Sequence, residues 1–86
     1  MTYTYQKLSE SGSFATPDGD DVGRAETKAE LRLVLEDWAY WHRRVGADDR
    51  QAVLRVWIGV LHDVTDQYPD FDMVLGPRGG VVEVPL

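Results

Sequence analysis

The chain contains no cysteine, which excludes disulfide staples and thiolate metal centres and fits a reducing compartment. It has no apolar run near the ~20 residues that a membrane span requires, and its first residues lack a signal-peptide pattern. A soluble, cytoplasmic protein with no membrane partner is expected. Basic residues are scarce: 9 Lys and Arg face 15 Asp and Glu, for a formal net charge of −6. Phosphate binding depends on Lys and Arg releasing counterions, so direct nucleic-acid binding is not expected. The imbalance sits at the ends, since residues 27–50 carry five charges of each sign while 1–26 and 51–86 each carry two basic and five acidic groups. A chain of 86 residues implies a single domain, residues 1–86, that buries only about 60–65% of the surface its unfolded form exposes. Stability is then modest, and a homodimer would add to it.

What is present is organised around Thr27 to Val45. Thr27-Lys28-Ala29-Glu30 has the form of a capping box, with the threonine hydroxyl accepting from the Glu30 amide and the glutamate reaching back to the cap. Leu31, Val34, Leu35, Trp38, Trp41, His42 and Val45 then fall within an arc of roughly 120°, the width of a helix face resting on a core. Glu26 and Glu30 near the start, Arg43 and Arg44 near the end, and Gly46 after it suit the helix dipole and a left-handed stop. Leu33 and Tyr40 lie one heptad apart on the opposite side. They are either ordinary surface hydrophobics or a small docking face.

Before the helix, Thr2 to Leu8 is rich in β-branched and aromatic residues and predicts a strand. Residues 9–12 turn, and Ser13 to Thr16 predicts a short return strand. Pro17 to Gly23 reads as a loop. Its Asp18, Asp20 and Asp21 invite a calcium reading, but the fixed offsets and closing glutamate of an EF-hand are missing, so no metal is expected.

After the helix, Gly46 to Asp49 turns into an apolar segment, Ala52 to Val64, that fits two readings. As a helix over 49–66 it would be capped by Asp48 or Asp49. As a buried strand over Ala52 to Val60 it would exploit the β-branched Val53, Val56, Ile58 and Val60, and tolerate Gly59 better. The strand is favoured. Asp63 to Asp66 has the composition to start one helical turn, which Tyr68-Pro69 ends. Phe71 to Leu75 and Val81 to Val84, joined by Gly76-Pro77-Arg78-Gly79-Gly80, predict a hairpin.

Catalytic patterns are absent. The glycine-rich turn opens no helix and lacks the lysine and hydroxyl residue of a phosphate loop, leaving Arg78 as a contact residue at its tip. His42 lies on the apolar face, and His62 next to Asp63 has no recognisable acid–base setting. Trp38, Trp41 and Trp57 are expected to fill the core between helix and sheet. No enzyme activity, catalytic residue or cofactor is expected.

The segments Val56-Trp57-Ile58-Gly59, Asp63-Val64-Thr65-Asp66-Gln67-Tyr68-Pro69-Asp70-Phe71 and Leu75-Gly76-Pro77-Arg78-Gly79-Gly80 form a pattern that resembles small acidic proteins encoded by actinobacteriophages, including mycobacteriophages. The capped helix after a tyrosine-rich first strand is similar too, so the resemblance covers most of the chain. Those proteins have no assigned function, so the resemblance implies a phage origin, with the host cytoplasm as the expected location, without implying an activity, and it favours the strand reading of Ala52 to Val60.

The expected architecture is α+β, one amphipathic helix on a small, mainly antiparallel sheet in the order β-β-α-β-β-β, the alternative being a second helix at 49–66. The expected role is binding a host or phage protein, with Leu33, Tyr40 and Arg78 as contacts. The alternative is an acidic mimic of nucleic acid that inhibits a DNA-handling protein, using Asp18, Asp20, Asp21, Asp63, Asp66, Asp70 and Asp72.

Overall fold

A computed structural model describes residues 1–9, 22–64 and 66–86. The tyrosine-rich run forms β1, Tyr3–Ser9, and pairs antiparallel with β2, Val22–Ala25. β2 occupies residues read from the sequence as loop and helix approach. The return strand expected at 13–16 lies outside the described residues. Helix α1 spans Lys28–Arg44, and the apolar segment after it is a strand, β3, Ala52–Ile58. The alternative helix over 49–66 does not form: Asp48 caps only a 3₁₀ turn, Asp49–Gln51, before the chain extends. Four of the seven β3 residues are β-branched or aromatic, and such side chains pack well on a pleated surface while losing rotamer freedom in a helix. The hairpin strands β4, Phe71–Leu75, and β5, Val81–Pro85, complete a five-stranded sheet ordered β2-β1-β3-β4-β5 with every neighbour antiparallel.

Both ends of α1 follow the sequence signals. Thr27 accepts from the Glu30 amide at 3.2 Å, while the Glu30 carboxylate takes the amide of Glu26, one residue before the cap, at 3.0 Å. At the other end Gly46, at φ +80°, lets its own amide and that of Ala47 reach the Arg43 and His42 carbonyls. These are the paired bonds of a Schellman stop.

Directly paired residues share a sheet face, and neighbours along a strand alternate. Register therefore places Tyr3, Ala25, Ala52, Leu54, Val56 and Met73 on one face, where they meet Leu31, Leu35, Trp38, Ala39 and His42 of the helix as the core. Trp38 donates its indole N–H to the Leu8 carbonyl at 2.8 Å, and Lys7 lies 5.9 Å from a Trp38 ring centroid. The far face carries Thr4, Leu8, Val53, Arg55, Trp57, Asp72, Val74, Val82 and Val84. One end of it is covered by residues 59–64 and 66–70. Thr4 donates to the Gly59 carbonyl at 2.8 Å and accepts from Leu61 at 3.0 Å, while Trp57 donates to the Gln67 carbonyl at 3.1 Å. Trp57 is thus buried beneath this segment and not between helix and sheet as expected, because in the register found it alternates away from Val56. The helical turn expected near 63–66 is reduced, among the described residues, to a bond from the Gln67 amide to the Val64 carbonyl.

Candidate interaction surfaces

The core side of α1 is centred on Leu35, Trp38 and His42 and extends to Ala39, whose small side chain allows close approach to the sheet. That tilt leaves the opposite flank uncovered. Trp41 and Val45, expected in the core, are 50% and 42% exposed, and Leu33 and Tyr40 are 65% and 50% exposed. Leu33, Asp37, Tyr40, Trp41 and Arg44 follow one another at helical spacings of i, i+4, i+7, i+8 and i+11, so they share one outer strip. Arg43 lies 5.8 Å from the Tyr40 ring centroid, a cation–π contact that favours an outward, ordered ring. The sequence signal for Trp41 was its position at the edge of the apolar arc, on the flank away from Ala39.

Arg78 occupies the tip of the β4–β5 hairpin and makes no ion pair among the described residues. It flanks a shallow pocket of about 280 Å³ lined also by Gly76, Pro77, Gly80, Val81 and Val82. No hydrogen bond or ion pair among the described residues joins Arg78 to the helix strip. Leu33 and Tyr40 are therefore brought together, whereas Arg78 belongs to a different element.

The acidic residues divide into unequal groups. Asp18, Asp20 and Asp21 lie outside the described residues. Asp63, Asp66 and Asp70 are exposed along the segment that caps the far face, but Asp70 also accepts the Ile58 amide at 2.7 Å. Asp72 sits on the far face opposite Arg55 in register, and the two form a forked pair with Nε–Oδ1 at 3.0 Å and Nη2–Oδ2 at 3.2 Å. Its hydrogen bonds to Asp72 raise the Arg55 guanidinium above its ordinary range. At the 3₁₀ turn, the Arg50 backbone N–H and then its side chain hold the Asp48 carboxyl below the usual carboxylate range. Asp70, Asp72 and Asp48 thus spend carboxylate oxygens on internal structure.

The two histidines do not converge. His42 is fully buried, its Nδ1 donating to the Trp38 carbonyl at 3.0 Å and its Nε2 lying 3.3 Å from the Ser9 hydroxyl. His62 is exposed, with Nδ1 3.5 Å from an Arg24 nitrogen that also donates to the Leu61 carbonyl. Among the described residues no group of three or more His, Asp or Glu is placed to hold a metal ion, and no helix is long and apolar enough to cross a membrane. No protein-family model, curated protein or solved structure matches the chain.

Proposed function

We propose that this is a small phage-encoded, non-enzymatic protein that acts in the host cytoplasm by binding a host or phage protein, laying the outer strip of α1 into an apolar groove of that partner. The observation that carries the reading is the exposure of Leu33, Tyr40 and Trp41 on one side of a helix whose other side forms the core. Helix-in-groove recognition reads anchors spaced at i, i+3, i+4 and i+7 along one helix face, and Leu33, Tyr40 and Trp41 lie along such a face at i, i+7 and i+8. Fully burying an exposed apolar side chain is worth roughly 1.5–3 kcal/mol of transfer free energy. Leu33, Tyr40 and Trp41 are already about half buried, so the three together come only to the lower end of the association cost of about 4–15 kcal/mol, and the contact needs further groups from the partner. Asp37 and Arg44 within the strip would fix orientation more than they add affinity.

The test is affinity capture from nuclease-treated actinobacterial lysate, with and without phage infection, comparing the wild type with a Leu33→Asp, Tyr40→Asp double variant. Both side chains are exposed, so the variant should melt within about 0.5 kcal/mol of wild type per site. It should also lose a stoichiometric partner that the wild type retains. A partner held equally by both proteins removes this face from the proposal.

A further inference from the structure

The free edge of β5 has a pattern that is complementary to itself. The Gly76 amide donates to the Gly80 carbonyl at 2.7 Å, so this pair is hydrogen-bonded across the hairpin. In an antiparallel ladder such pairs alternate with unbonded ones. Continuing the register, Val74/Val82 and Asp72/Val84 are bonded pairs, while Leu75/Val81, Met73/Glu83 and Phe71/Pro85 are not. The main-chain groups of Val81, Glu83 and Pro85 consequently point away from β4. Pro85 fits this assignment, since the amide hydrogen it lacks would have faced outward. No strand among the described residues lies beyond β5.

We propose that β5 pairs antiparallel with β5 of a second copy about a two-fold axis at Glu83. In that register the Glu83 amide of each copy donates to the Glu83 carbonyl of the other, and each Val81 amide donates to the opposing Pro85 carbonyl. Every outward donor of the strand finds an acceptor, and proline serves only as an acceptor. On the far face Val82 meets Val84 of the second copy, and Leu86 falls opposite Gly80. Val82, Val84 and Leu86 are 45%, 40% and 48% exposed in the single chain. A Cβ built on Gly80 would meet nothing within 4 Å, and Gly80 borders the shallow hairpin pocket, so each Leu86 has a hole waiting for it in the other copy. Sliding the strands by two residues one way puts Leu86 opposite Arg78 in the hairpin turn; sliding them the other way puts it opposite Val82 and leaves the Val81 amide with no carbonyl of β5 across from it, so both slides lose this fit.

Charge on the helix face is compatible with the same register. Glu83 is held by Lys28 at 2.8 Å, and the axis brings two such pairs side by side, placing each lysine near the other copy's glutamate. Two unneutralised glutamates at directly opposed positions would repel. The symmetry closes, because each copy spends its β5 edge once and the remaining edge, β2, has only four residues. A pair of five-residue edges buries less than the ~1,000 Å² of a strong interface, so the dimer is weak.

The test is sedimentation equilibrium of the whole chain from about 10 µM to 1 mM. The expected weight-average mass rises from 9.7 kDa towards twice that value. Gly80→Leu, which fills the hole, and Leu86→Gly, which removes the knob, should each weaken association about tenfold, and the double variant should recover most of it by exchanging knob and hole. Circular dichroism checks that Gly80→Leu is folded, and Leu86→Gly carries the test if it is not. A chain that stays monomeric to 1 mM, or a dimer indifferent to both single substitutions, overturns the proposal.

Discussion

Thr27 is the residue whose effect is simplest to isolate. Its hydroxyl satisfies the Glu30 amide at 3.2 Å in an exposed setting, so Thr27→Ala deletes one cap bond without opening a cavity. The expected loss is about 1 kcal/mol, read as a lower urea midpoint at unchanged slope. This residue was legible from sequence because capping is local. His42 was half legible. Periodicity put it on the apolar face, but nothing local could supply its partner across the core, the Ser9 hydroxyl on β1. Trp41 was misplaced for a related reason. A helical arc is read from one element alone, whereas the contact line is fixed by the sheet, and Ala39 draws that line to its own side.

Among the elements, β2 is the one the sequence concealed. It is four residues long, contains a glycine, and has none of the alternation that marked β1. Its place is set by a cross-strand fit: Gly23 pairs with Tyr5, and the tyrosine ring lies over the glycine so closely that any Cβ there would collide with the phenol. Covering a strand glycine with a cross-strand aromatic helps to fix register. Gly23→Val is therefore expected to displace the Tyr5 ring and cost about 1–3 kcal/mol, with amide exchange rising first along β1 and β2 and last in β3 and β4. β3 was legible as a strand despite a nearly continuous apolar run, because its β-branched residues outweighed an ambiguous period. Its end at Ile58 was overrun by two residues, since the bonds from Gly59 to Thr2 and from Thr4 to Gly59 that turn the chain there are long-range.

For the whole molecule, order and class were readable because each strong local signal agreed with the final packing: a well-signposted helix, aromatic and β-branched strands, and a glycine-rich hairpin. Which sheet face would be open was not readable, because residues 59–64 and 66–70 lack a pattern of their own and take their place from Thr4, Trp57 and Val56. The candidate helix strip was partly legible: Leu33 and Tyr40 stood out as apolar residues on the wrong side, and Trp41 joined them only once the sheet had set the helix's rotation. At this scale the net charge of −6 and the apolar strip make opposite demands on a partner. Charge-led recognition, as in a nucleic-acid mimic, weakens steeply as salt screens it, whereas buried apolar contacts do not. The most direct measurement is capture of the partner in about 0.05 M and then 0.5 M salt, where the Debye length shrinks to roughly 4 Å. A stoichiometric protein retained at both concentrations is the expected result for docking through Leu33, Tyr40 and Trp41. A partner present at low salt and gone at high salt would contradict it and shift the recognition to the acidic groups.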